Sequence, residues 1–342
     1  MSQRSTLMIS LQRRNTLFFI AISAISTWAI GLDSGFRQNV SQTVNWPTKT
    51  VRIIVGFPGG SSPDLTARTL AEPLSKALGQ PVIVENKVGA GGNIGADFVA
   101  KATDNHTLGL MINGNMTTAK LLNPKLPYDP LKDLAPVSLI GVSPLVLMAP
   151  KNAPGADARA FLAAAKQAAD SWSYGSPGVG TVGHIGMELL QSRTGTKAVH
   201  VPYPGYAQVA GGMLGGQLQL SMLPPALALA QVKGDKLRAI GVTSSGRSAL
   251  APELPSMSEA GVANFNLEIW NAVAAPKTMP APIVAKLSKL ISEIARSPEV
   301  REKLFQQGWQ VVGSSPEGLA NRITSDTALF GGVIKTLGIS NQ

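Results

Sequence analysis

The chain has 342 residues, 44% hydrophobic and 15% charged, with 35 Gly, 24 Pro and a formal charge of +10. That leaves enough apolar surface for packed cores in about two domains and excludes disordered, coiled-coil and collagen-like chains. The absence of Cys and the presence of only 3 His remove disulfides, thiolate metal sites, cysteine nucleophiles, a lipid-modified N-terminal cysteine and a histidine-rich metal cluster.

Arg4, Arg13 and Arg14 precede an apolar stretch from Leu17 to Ile30 that includes the small residues Ala24, Ser26 and Ala29. A basic flank and an apolar core shorter than a membrane span read as an export signal, with residues 1–46 as signal and linker. The Arg13-Arg14 pair leaves a twin-arginine route open. Removing residues 1–46 takes away four arginines and one aspartate and leaves a charge of +7. These charges are scattered without a basic stripe, so no nucleic-acid partner is expected. The uncharged run from Leu134 to Pro150 is interrupted by proline and glycine and reads as buried strand rather than a membrane span.

The mature chain alternates strands and helices. Val51 to Phe57 is nearly continuous apolar strand, and Pro58-Gly59-Gly60-Ser61 breaks it. Ser62-Pro63-Asp64 supplies an N-cap, a first-turn proline and a first-turn acid; Leu70, Leu74 and Leu78 form a stripe that Gly79 ends. Pro73 inside this helix predicts a kink. A strand from Pro81 to Glu85, a helix opened by Gly89 to Asn93 and a strand from Thr107 to Ile112 complete a βαβαβ order. Helices are predicted at Asp157 to Ala169, Thr181 to Arg193 and Pro282 to Ala295, with strands at Trp172 to Tyr174 and Ala198 to Val201. Ser315-Pro316-Glu317 repeats the cap chemistry for a last helix. Pro144 to Pro150 and Trp270 to Pro276 are apolar strands that both close on Ala-Pro, as paired crossovers between two lobes would. The boundaries that follow are 47–147 plus 271–342 for one lobe and 148–270 for the other.

Gly178-Val179-Gly180-Thr181-Val182-Gly183 matches a dinucleotide fingerprint, but no Asp or Glu occurs from Leu189 to Gly234 to hold a ribose. No G-x-S-x-G elbow exists, and His106, His184 and His200 are dispersed. Two strands do run into hydroxyl-rich, glycine-rich helix starts, at Gly59 to Ser62 and Gly175 to Thr181. Such starts hold carboxylates or phosphates through N–H groups and the helix dipole. No Walker lysine follows either, which argues against nucleoside triphosphates.

Many segments occur in an order that resembles the extracytoplasmic receptors of tripartite tricarboxylate transporters, the Bug family. They include Phe57-Pro58-Gly59-Gly60-Ser61-Ser62-Pro63-Asp64, Gly89-Ala90-Gly91-Gly92-Asn93, Leu126-Pro127-Tyr128-Asp129-Pro130, Tyr174-Gly175-Ser176 and His200-Val201-Pro202-Tyr203. The resemblance implies an α/β fold of the two-lobed type II periplasmic-binding kind, each lobe an open, mostly parallel sheet flanked by helices, with two crossover strands. It also implies a periplasmic monomer that closes on a small carboxylate and delivers it to membrane transporter subunits, without cofactor, metal or catalysis. A hydrolase or isomerase acting on a carboxylate in the same cleft is the alternative. The ligand-binding residues implied are Phe57, Gly59, Gly60, Ser61, Ser62, Asp64, Asn113, Ser176, Gly180, Thr181, His184, Pro202 and Tyr203. Pro204, Gln219, Ser221, Leu223 and Asn271 depart from the family pattern toward a less polar cleft, which leaves aromatic carboxylates open.

Overall fold

The computed structural model describes residues 45–340. The expected export signal lies outside the described residues. Trp46, read as the end of the linker, is instead buried in the first core, with its Nε1–H donating to the Asn105 carbonyl at 2.8 Å.

In chain order the elements are β1 (Val51–Val55), α1 (Ser62–Leu78), β2 (Val82–Asn86), α2 (Asn93–Ala100), β3 (Thr107–Ile112), α3 (Asn113–Met116), α4 (Thr118–Leu122) and β4 (Leu134–Pro144). Next come β5 (Val146–Pro150), α5 (Ala158–Ala168), β6 (Ser173–Ser176), α6 (Val182–Thr194), β7 (Val199–Pro202), α7 (Tyr206–Leu214), β8 (Leu220–Leu223), α8 (Pro225–Lys233) and β9 (Leu237–Val242). The chain ends with β10 (Glu268–Pro276), α9 (Ala281–Arg296), α10 (Pro298–Gln306), β11 (Gln310–Val311) and α11 (Pro316–Leu337).

Two sheets result, ordered β11-β4-β10-β3-β1-β2 and β7-β6-β8-β5-β9. Alternate residues of a strand face opposite sides, and here both sides are buried. Val51, Ile53 and Val55 pack into one core with α1 and α9, while Ile54 packs into another with α2 and the first half of α11. The second sheet repeats the arrangement, with Leu145, Leu147 and Ala149 on one side and Val146 and Met148 on the other. This double burial is why these strands read as nearly unbroken apolar runs.

Each sheet is mixed rather than mostly parallel. β1 pairs β2 and β3 in parallel, as β6 pairs β7 and β8, but β10 runs antiparallel to β3 and β4, and β5 antiparallel to β8 and β9. The βαβ units impose the parallel pairs, whereas the long strands entering and leaving each sheet return antiparallel.

The chain changes sheets at Leu145 and Leu267. Val146 and Leu147 already pair in the second sheet, and Glu268 to Trp270 already pair in the first. α11 also serves both layers: Leu319 and Ile323 join a first-sheet core, but Phe330 and Ile334 join a second-sheet core. Its 22 residues rise roughly 33 Å, long enough to reach across. α1 continues through Pro73 as one helix, and its N-cap is Ser61, one residue before the expected Ser62.

Thr243 clamps both crossovers. Its N–H donates to Leu145 O and its hydroxyl accepts from Leu145 N, both at 2.8 Å; its carbonyl accepts from Leu267 N at 2.9 Å and its hydroxyl donates to Leu267 O at 2.7 Å. Thr243→Val keeps the shape but leaves Leu145 N and Leu267 O without the hydroxyl. At about 1 kcal/mol per net hydrogen bond, with buried groups left unpaired, we expect a loss of about 2 kcal/mol in a urea titration. An unchanged midpoint would show that the clamp contributes nothing.

Candidate functional site

Strands β1, β3, β6 and β8 all end toward one cavity of about 400 Å³, lined by residues just after each of them: Phe57, Asn113, Pro177 and Pro224. A crevice outside the carboxyl ends of strands is where open α/β sheets bind ligands, because the helices that follow present their N-termini there. None of the lining residues is Lys, Arg, Asp, Glu or His.

The first loop is held from behind. Asp64 is 1% exposed and accepts from Gly60 N at 2.8 Å, from Arg68 Nε at 2.9 Å and from Asn86 Nδ2 at 2.8 Å, while Asn86 also donates to Phe57 O. Burial alone would raise the Asp64 pKa; the hydrogen bonds from Arg68, Asn86 and Gly60 outweigh it and hold the carboxyl below its usual value. Asp64 is therefore a positioning residue and does not line the cavity. The Gly60 N–H, expected as a ligand donor, is committed to Asp64, while Gly60 itself, at φ 77°, makes the turn. The hydroxyls of Ser61 and Ser62 are buried, line the same cavity and have no protein partner. Ser315 shows the contrast, since its hydroxyl caps α11 by accepting from Gly318 N.

The second loop is organised by its own polar network. The Thr181 hydroxyl donates to Gly178 O at 2.8 Å instead of capping α6, so no side chain occupies that helix start. Gly180 N donates to His184 Nδ1, and Gly180 O accepts from Thr118 Oγ1 at 2.6 Å. A Cβ on Gly114 would stand 3.1 Å from that carbonyl oxygen, so glycine allows the two loop systems to meet. His184 and His200 stack with centroids 4.2 Å apart, and His200 stacks on Tyr174 at 4.8 Å. Burial lowers the His184 pKa to about 4; burial and then the neighbouring His184 lower that of His200 to about 3. Both rings are neutral near pH 7.

Of the thirteen residues expected to bind ligand, Phe57, Gly60, Ser61, Ser62, Asn113 and Thr181 line this cavity. Gly59, Asp64, Ser176, Gly180 and His184 do not: Gly59 is exposed beside the loop, and the other four lie behind the two loops. Pro202 and Tyr203 border a separate cavity of about 700 Å³ with Gly89 to Asn93, because β7 ends facing away from the first cavity. Tyr206, four residues after Pro202, takes the place expected for them. The Asn113 side chain is spent on β10, accepting from Trp270 N and donating to Glu268 O.

Residues missed from sequence come from α8 and from the turn after α10: Leu227, Ala230, Gln307 and Trp309. Leu223-Pro224-Pro225 is another strand end running into a helix-starting proline, a signal that could have found α8. Nothing local marks Trp309.

Ser176 Oγ lies 2.7 Å from His200 Nε2, a distance suited to a nucleophile and its base. Ser176 is fully buried, however, and lines neither cavity. Among the described residues no group of three or more His, Cys, Asp or Glu could hold a metal ion, and no helix is long and apolar enough to cross a membrane.

Comparison with known proteins agrees with this architecture. Residues 66–339 match the tripartite tricarboxylate transporter family receptor, TctC. The chain is 35% identical over 295 residues to the protein BugT of Bordetella pertussis, covering 86% of this chain and 90% of that one. It superposes on the solved periplasmic binding protein BugD with a TM-score of 0.82 at 31% identity, covering 87% and 100% of the two chains. The structure of R. palustris Rpa4515 with adipate gives 0.83 at 30% identity, covering 86% and 99%. The chain belongs to the tripartite tricarboxylate transporter receptor family.

Proposed function

We propose that this chain is an exported, periplasmic receptor that captures a small carboxylate between its two sheets and presents it to membrane subunits of a tripartite tricarboxylate-type transporter. The observation that carries this reading is the convergence of two helix starts, α1 and α6, on one cavity that no charged side chain lines, with the Ser61 and Ser62 hydroxyls unpartnered there. A carboxylate suits that environment because N–H groups, hydroxyls and helix dipoles neutralise it without a counter-ion. The adipate held by the R. palustris relative supports the same ligand class. In this reading the two sheets act as lobes that move about Leu145 and Leu267, close to the boundaries read from sequence. The protein works as a monomer, without cofactor, and returns its ligand unchanged; the hydrolase or isomerase reading lacks a reachable nucleophile.

The test is mass spectrometry of whatever small molecule co-purifies with the exported protein, followed by calorimetry with that acid. Ser61→Ala and Ser62→Ala are each expected to weaken binding about tenfold, the effect of one hydrogen bond to a charged group. Finding no bound acid, or recovering the acid chemically changed, would reject the reading.

A further inference from the structure

The cavity carries a second pair of buried polar atoms with no protein partner: Nε1–H of Trp309, a residue only 2% exposed, and Oε1 of Gln307. With the Ser61 and Ser62 hydroxyls they make up half of the eight such side-chain atoms among the described residues, all four on residues lining one cavity. Buried polar atoms are ordinarily paired. Trp270, the other tryptophan of the cavity, obeys that rule, its Nε1–H donating to Asp326 at 2.7 Å.

The surrounding bonds settle which way the Gln307 amide faces. Thr69 Oγ1 donates to Leu65 O at 2.8 Å, so it must accept from Gln307 Nε2, also at 2.8 Å, which leaves Oε1 as the unpaired atom. One unpaired donor and one unpaired acceptor, two residues apart in the chain, match a hydroxyl group, which accepts one hydrogen bond and donates another. A second carboxylate would take the Trp309 N–H but meet the lone pairs of Gln307 Oε1, with no charged residue lining the cavity to offset it.

Spacing sets the length of the ligand. Gln307 is tied to Thr69, which follows Ser62 by seven residues on α1, a rise of roughly 10 Å. Leu65, Leu227, Ala230 and Ile269 line the same cavity with apolar surface.

Resting on the carboxylate reading above, we propose that the cavity selects an elongated acid with one carboxylate at the α1 and α6 helix starts, an apolar body, and a hydroxyl at its distal end held between Trp309 Nε1–H and Gln307 Oε1.

Calorimetry of the mature protein with para-hydroxycinnamate, cinnamate and para-carboxycinnamate tests this. The hydroxy acid should bind about tenfold or more tightly than either of the others. Trp309→Phe and Gln307→Met, which keep side-chain bulk but remove the donor or the acceptor, should each erase about tenfold for the hydroxy acid and leave cinnamate within about twofold. Thermal unfolding checks that both variants fold, and Gln307→Met alone suffices where Trp309→Phe does not. Equal binding of the three acids, tightest binding of the dicarboxylate, or equal losses for both ligands in the variants would overturn the selection while leaving the receptor reading intact. If no carboxylate binds, the receptor reading fails and this inference fails with it.

Discussion

Asp64→Ala should destabilise the protein by about 3 kcal/mol and abolish high-affinity ligand capture. The carboxylate takes hydrogen bonds from Gly60 N, Arg68 Nε and Asn86 Nδ2, and bonds to a charged group contribute about 1.5–3 kcal/mol each. Arg68 is half exposed, so its share is reduced by solvent; the Gly60 and Asn86 donors supply most of the effect. Without the carboxylate, Gly60 N loses its partner and the Asn86 Nδ2 group retains only its bond to Phe57 O, so the turn ahead of α1 loosens. Urea titration gives the stability and calorimetry the affinity. Asp64→Asn should lie between the two, since its amide keeps one acceptor oxygen. A Asp64→Ala protein with the wild-type urea midpoint would show that the loop is held by something other than this carboxylate.

Acid should weaken the fold well before most carboxylates protonate. His184 and His200 have folded pKa values of about 4 and about 3 against 6.5 for the free side chain. A histidine whose folded pKa is lowered binds fewer protons folded than unfolded. Stability is therefore fully present above pH 6.5 and is lost as pH falls through the window from 6.5 toward 4 and then 3. At about 1.4 kcal/mol per unit of pKa difference, and allowing for the part of His200 that remains solvated, the pair should cost roughly 3 kcal/mol by pH 4.5. Charging His184 also removes the acceptor of Gly180 N, so affinity should fall over the same range. The measurement is the urea midpoint from pH 7.5 to 4.5 for the wild type and for a His184→Gln, His200→Gln double variant. The variant's profile should be flatter; equal slopes would place the acid sensitivity elsewhere.

Much of the architecture was legible one segment at a time. Double-sided burial writes itself as nearly unbroken apolar strand at Val51 to Val55, and cap chemistry at Ser62 to Asp64 and Ser315 to Glu317 marks helix starts to within a residue, because both signals come from neighbours in the chain. The cavity-lining halves of the two loops followed from the same local rule, since a strand end running into a glycine- and hydroxyl-rich helix start places N–H groups in the crevice. Local chemistry also gave Asp64 a place near the site, though not its role. Whether that carboxylate faces the ligand or the back of the loop depends on Asn86, twenty-two residues later and on a neighbouring strand.

Only the tertiary structure decided the rest. Pro202 and Tyr203 turn to another cavity and Tyr206 replaces them, because the exit direction of β7 depends on how it pairs with β6. α11 crosses from one sheet's core to the other's, which no periodicity within the helix reveals. The distal wall is assembled from α8 and from Gln307 and Trp309, brought to α1 from more than two hundred residues away. Local sequence determined where backbone donors would be offered to an anion, since that depends on adjacent residues. Which side chains share the cavity with those donors, and which polar atoms remain unpaired there, depended on packing between distant segments.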